Sequence, residues 1–151
     1  ESRRGGRDLN GQNIKHVREV MTDSFILVDG LATITEAVAA MKAADARVII
    51  VRKRHRHDEY GILMMSDIAK SVIACNRSPD RVNVYEIMAK PVIFVRPSMD
   101  VRYTARMFDS FGLSMAPVLK SGEILGVVSY TDIVLGSIGE SAPAAGGTDD
   151  E

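Results

Sequence analysis

The chain repeats itself. Val17-Arg-Glu-Val-Met21 returns 67 residues later as Val84-Tyr-Glu-Ile-Met88, with Val, Glu and Met kept, and Ile26 and Val28 return as Ile93 and Val95. Ile34, Ala37, Val38 and Met41 map onto Val101, Thr104, Ala105 and Phe108, the i, i+3, i+4, i+7 stripe of an amphipathic helix. Thr35 and Asp100 suit the N-caps of these helices. Val48-Ile-Ile-Val51 and Met115-Ala-Pro-Val-Leu119 follow as buried strands. A first turn two residues longer than the second then lowers the offset to 65. Gly61-Ile-Leu-Met-Met-Ser-Asp-Ile68 and Gly126-Val-Val-Ser-Tyr-Thr-Asp-Ile133 close the halves, each a strand running straight into a helix. A copy of roughly 60 residues makes a marginal core alone, so the expected fold is α/β: two β-α-β-β-α half-domains covering one another with pseudo-twofold symmetry.

The expected boundaries are a flexible lead-in at 1–13, repeat 1 at 14–76, a linker at 77–83 around Ser78-Pro-Asp80, repeat 2 at 84–139, and a flexible tail at 140–151. The opening residues lack an initiator Met and an apolar h-region, and read as the edge of an excised segment rather than a signal peptide. No apolar run reaches the roughly 18 residues of a membrane helix. Nineteen Lys plus Arg against twenty Asp plus Glu provide no global field toward nucleic acid or membrane. The single cysteine, Cys75, excludes an intramolecular disulfide and suits a reducing compartment, with the cytoplasm as the default.

Enzyme chemistry finds no foothold. The sequence has no Gly-x-Ser-x-Gly elbow, no His-Glu-x-x-His, no phosphate-binding Gly-x-x-x-x-Gly-Lys and no Gly-x-Gly-x-x-Gly. Neither His16 nor Cys75 has a partner at catalytic spacing, so no catalytic residue and no catalytic cofactor is expected. The helix openings say more. Unpaired N–H groups at a helix start suit a phosphate, Ser129 and Thr131 add hydroxyls there, and Asp132 is an acceptor for the vicinal hydroxyls of a ribose. The same residue types are favoured caps of any helix, so a capping role stands beside the ligand role. The second copy moves the balance toward a ligand.

These residues resemble a tandem pair of cystathionine β-synthase (CBS) domains, a Bateman module, over nearly all of residues 14–139. The resemblance implies a regulatory sensor rather than a catalyst, one that binds AMP, ADP, ATP or a related adenosyl ligand and reports its occupancy to a partner or attached domain. It also implies a homodimer of modules. In the primary cleft so implied, Asp132 holds the ribose, Ser129 and Thr131 meet phosphate, and Ile26, Ala46 and Val48 enclose adenine, with Arg47 a phosphate contact. The secondary cleft pairs Asp67 and Ser66 with Ile93, Leu113, Ser114 and Met115, and is the weaker one because Met64 replaces the hydroxyl of Ser129. Two alternatives remain open. One is a ligand-free dimerisation scaffold. The other is a polyanion-binding module at the basic turn Arg52-Lys-Arg-His-Arg-His57, which is also readable as a solvated hairpin tip. No third ligand accompanies His55 and His57, so no metal site is expected, and the turn lacks the interleaved aromatics of a single-strand nucleic-acid binder. Met21 and Met88, at equivalent positions, read as packing residues.

Overall fold

The computed structural model describes residues 13–90 and 93–138. The expected tail, and all but the last residue of the expected lead-in, lie outside them. Among these residues six α-helices and five strands follow in the order α1 (Val17–Val20), β1 (Phe25–Val28), α2 (Ile34–Ala44), β2 (Val48–Val51), β3 (Gly61–Leu63), α3 (Met65–Ile68), α4 (Val84–Ile87), α5 (Val101–Phe111), β4 (Met115–Lys120), β5 (Glu123–Ser129) and α6 (Tyr130–Ser137). The architecture is the expected duplicated α/β one.

Two compact units emerge, but each is built from both repeats. Unit one is Asp23–Ile93, and unit two joins Glu1–Thr22 to Phe94–Glu151. The short helix that opens each repeat therefore packs with the strands of the other repeat. Backbone bonds document this exchange in pairs. In unit two, Val17 N–H donates to Met99 O at 2.8 Å and Arg18 N–H to Pro97 O at 2.9 Å. In unit one, Val84 N–H donates to Ala32 O at 2.8 Å and Tyr85 N–H to Gly30 O at 2.9 Å. Thr22 bridges Val127, and Ala89 bridges Ile62, each antiparallel. The apolar Val17 and Val84 are thus sealed, each 0% exposed, in cores that their own repeats do not supply.

The exchange explains the glycine that opens each closing motif. A Cβ at Gly126 would stand 2.7 Å from the Thr22 carbonyl oxygen and 3.2 Å from Met21 Sδ, and one at Gly61 would stand 2.8 Å from Met88 Sδ. The two equivalent methionines lie over the two equivalent glycines, so they do pack, and they do so against backbone.

In unit one, β1 and β2 pair in parallel and β2 and β3 antiparallel, with α2 crossing between the parallel strands. The strand β2 is buried along its length, with Ile34, Ala37, Leu63 and Val72 in the same core. In unit two, β4 and β5 form an antiparallel hairpin with an irregularity at Val118/Leu119. The counterpart of β1 is reduced among the described residues to a parallel bridge at Val95, whose N–H donates to Pro117 O at 3.0 Å. Phe108 anchors this core at 0% exposure, with the Tyr130 ring edge-on at 5.3 Å. Thr104, equally buried, satisfies its hydroxyl by donating to Asp100 O at 3.1 Å.

Asp100 caps α5 as expected, its carboxylate accepting from Arg102 N–H at 2.8 Å. The cap of α2 is Thr33 and not Thr35, which lies within the helix. Thr33 accepts from Glu36 N–H at 3.1 Å while the Glu36 carboxylate accepts from Thr33 N–H at 2.9 Å. Thr33 is also the residue 67 places before Asp100, so the repeat itself marked the right position.

Candidate functional site

The two helix openings differ in chemistry. In unit two, β5 delivers Ser129 as the N-cap of α6, and a closed capping box forms. Asp132 Oδ2 accepts from both Ser129 N–H and Ser129 Oγ–H at 2.9 Å, while Ser129 Oγ accepts from Asp132 N–H at 3.2 Å. The carboxylate is thereby held in one orientation with Oδ1 unpartnered among the described residues. The Ser129 hydroxyl proton is committed to Asp132, whereas Thr131 is exposed and its hydroxyl is unengaged among the described residues. Ser114 and Met115 adjoin this opening. Tyr130 N–H donates to Ser114 O at 3.2 Å, and Met115 stands opposite Ser129 in the hairpin, with Leu113 packed against the core beside them.

In unit one, Met64 occupies the cap position of α3 and offers no side-chain hydrogen bond. Asp67 N–H falls back on Met64 O at 3.0 Å, and the Asp67 carboxylate has no partner among the described residues. Ser66 is exposed in the same turn. After one turn the helix loosens into a π-helical segment, Ala69–Ile73. Ile26, Ala46, Arg47 and Val48 gather at one end of this unit's sheet: Arg47 N–H donates to Ser24 O at 3.0 Å, Phe25 faces Val48, and Ile26 faces Ile49. Ile93 belongs to this unit as well. Asp132, Thr131 and Ser129 thus lie in unit two while Ile26, Ala46, Arg47 and Val48 lie in unit one; Asp67 and Ile93 lie in unit one while Leu113, Ser114 and Met115 lie in unit two.

The basic turn is answered locally. Asp58 Oδ1 accepts from Lys90 Nζ at 2.6 Å and Asp58 Oδ2 from Arg54 N–H at 2.7 Å, so the lysine ammonium first, and then the backbone N–H, hold the carboxyl well below the usual carboxylate range. Lys53 lies 4.9 Å from the centre of the Tyr60 ring. His57 N–H donates to His55 Nδ1 at 3.3 Å. Among the described residues no group of three or more His, Cys, Asp or Glu could hold a metal ion, and no helix is long and apolar enough to cross a membrane.

Comparison with known proteins follows the two halves. A family model described as the CBS domain matches residues 17–74 and again 84–138. A hexameric CBS-CP12 protein from bloom-forming cyanobacteria is 38% identical, with a TM-score of 0.78 over 83% of this chain and 74% of that one. The CBS domain pair of protein MJ0100, solved in complex with 5′-methylthioadenosine and S-adenosyl-L-methionine, is 24% identical, with a TM-score of 0.66 over 80% of this chain and 93% of that one. An uncharacterized protein of Methanocaldococcus jannaschii, MJ0450, is 22% identical over 110 residues, which span 72% of this chain and 59% of that relative.

Proposed function

The chain belongs to the CBS-domain family, and on that premise we propose that it is a regulatory module that binds an adenine nucleotide and signals occupancy to a partner or an attached domain. The observation that carries this reading is the Asp132 carboxylate, clamped by Ser129 with Oδ1 open beside the exposed Thr131. An acceptor held in place ahead of its ligand spends little ordering entropy on a ribose diol. Thr131 supplies the hydroxyl toward phosphate, and Ser129 serves chiefly by orienting Asp132. Ile26, Ala46 and Val48 take the adenine role and Arg47 a phosphate role, as the family resemblance implies; Asp67, Ser66, Met64, Ile93, Leu113, Ser114 and Met115 form the secondary set. The adenosyl ligands of the MJ0100 pair support the ligand class, and the hexameric cyanobacterial relative supports assembly with further copies, of which a homodimer is the simplest closed form. Occupancy acts by population shift, favouring whichever state of the module binds the ligand better.

A scaffold reading has one observation in its favour, since the capping box of α6 is complete without any ligand. Calorimetric titration with AMP, ADP and ATP separates the two. Asp132→Ala is expected to weaken binding by about 10- to 150-fold, equivalent to about 1.5–3 kcal/mol for hydrogen bonds to a charged acceptor. The 2′-deoxy and 3′-deoxy nucleotides are expected to bind the wild type less well than the ribonucleotide. No heat and no thermal stabilisation with any adenosyl compound at millimolar concentration would establish the scaffold reading instead.

A further inference from the structure

A further feature lies within unit two, at the opposite end of β4 from Ser129. A cavity of about 750 Å³ opens there. Three pieces of chain build it, and backbone bonds set each one. Val95 is laid along β4, its N–H on Pro117 O and its carbonyl taking Leu119 N–H at 3.0 Å, which places Phe94 and Arg96 at the rim. The two-residue tip of the hairpin, Ser121 and Gly122, turns with φ of 54° and 81°, the doubly left-handed form that matches strand twist, and sets Lys120 and Ser121 on a second side. Arg18, tied through its N–H to Pro97 O, closes a third side, with Ser98 beside it.

The lining carries three cations and no carboxylate. Arg18, Arg96 and Lys120 are exposed and make no ion pair among the described residues. The nearest acid along α1, Glu19, is spent on its own cap, its Oε2 taking His16 N–H at 2.8 Å and standing 3.2 Å from His16 Nδ1. Glu123 faces Lys120 across the hairpin without forming an ion pair. Three unanswered cations around one cavity repel each other, so the arrangement is stabilised by an anion with charge to spread over all three.

The other unit supplies an internal control. At the equivalent positions Arg18 becomes Tyr85, Arg96 becomes Asp29 and Ser98 becomes Leu31, and only Lys120 keeps a cation, Lys53, which lies at the Tyr60 ring. The basic cavity is therefore a property of one unit, and the shared framework does not require it. It is also separate from the Asp132 opening, because Met115 and Lys120 are five residues apart on one strand, about 17 Å.

We propose that the cavity bounded by Arg18, Arg96 and Lys120 binds a small-molecule polyphosphate or bisphosphate. Two guanidinium forks suit phosphate oxygens in bidentate fashion, the lysine adds a point charge, Ser98 and Ser121 add hydroxyl donors, and the half-exposed Phe94 ring offers an apolar face to any organic part. The inference stands independently of the adenosyl reading.

Amide chemical shifts of the full chain, followed while inorganic tripolyphosphate is added at low salt, test it. Saturable shifts at residues 18, 96, 98 and 120–122 with a sub-millimolar midpoint are expected. Arg96→Gln and Lys120→Gln each weaken binding about two- to fivefold, and the double variant about 4- to 25-fold, with melting temperature unchanged. Asp132→Ala leaves tripolyphosphate affinity as it was, so failure of nucleotide binding at Asp132 and failure of this site are read separately. Cytidine triphosphate distinguishes the source. Tighter binding than tripolyphosphate at these same residues, lost in Phe94→Ala, identifies an organic polyphosphate, and equal affinity identifies the inorganic anion. Linear, non-saturating shifts would overturn the proposal. So would shifts centred on residues 52–57, or an equal loss of affinity in Arg52→Gln/Arg54→Gln.

Discussion

The two helix openings, Ser129-Tyr-Thr-Asp132 in unit two and Met64-Met-Ser-Asp67 in unit one, began as the same motif and now do different things. In the first, the cap residue and the carboxylate satisfy each other, and α6 runs eight residues. In the second the cap is gone, the carboxylate has no partner among the described residues, and the α-helical turn passes into a π-helical one. The backbone exchange that joins each repeat to the strands of the other has kept its hydrogen bonds position for position. Duplication has therefore preserved what the fold cannot lose and released side chains whose loss costs about a kilocalorie. Ligand preference can diverge between such openings while the architecture stays put.

The largest test of that contrast is steric. Gly126→Ala drives a Cβ into the Thr22 carbonyl, which is backbone and pinned to Val127, whereas Gly61→Ala meets first the flexible end of Met88. Overpacking of this kind costs about 1–3 kcal/mol, and Gly126→Ala is expected near the top of that range with Gly61→Ala near the bottom. Urea unfolding of both variants checks it, and equal losses would mean that the exchanged segment yields as easily as a methionine.

A smaller test exchanges the caps. Ser129→Ala is expected to destabilise by about 1 kcal/mol, and Met64→Ser to stabilise by about 0.5–1 kcal/mol by restoring a side-chain acceptor at the start of α3. Opposite shifts in melting temperature sharpen the comparison. A neutral Met64→Ser would show that the π-helical turn, and not the missing cap, limits that helix.

The smallest effect is on acid stability. Lys90 beside Asp58, Arg102 beside Asp100, the His16 N–H at Glu19 and the Asn83 N–H at Glu86 each hold a carboxyl below its ordinary value. Such a carboxyl takes up its proton more readily in the unfolded chain. Its contribution is therefore whole above about pH 4.5 and is lost as pH falls through the acid range. Asp58 in unit one carries the strongest depression, so Asp58→Asn is expected to flatten the decline in urea midpoint between pH 4.5 and 3 more than Asp100→Asn does in unit two. Equal slopes would place the acid sensitivity elsewhere.

Much of this molecule is legible in its residues alone. Periodicity of 3.6 and short apolar runs marked α2, α5, β2 and β4, because burial of one face leaves its period in the residue types. The double copy of the Gly-to-Asp motif identified both helix openings, and the substitution of Met64 for Ser129 announced that they differ. The cap of α2 was misplaced by two residues because Thr33 and Thr35 are chemically alike, and only the bond to Glu36 distinguishes them. The basic turn is readable as a hairpin tip partly neutralised by Asp58 and Glu59, whereas the bond of Asp58 to Lys90 joins residues too far apart in sequence for local pattern to pair them.

What the sequence by itself determined is the duplicated α/β plan, its element types, and the residue inventory of each helix opening, because all of these follow from local pattern and repetition. What only the tertiary structure decided is which segments are neighbours. It put the opening helix of each repeat in the other's core, turned the Ser129 hydroxyl proton onto Asp132, and gathered Arg18, Arg96 and Lys120 around one cavity. Residue types record whether a position is buried or polar. They do not record which distant position meets it, since that depends on how backbone bonds close across scores of residues.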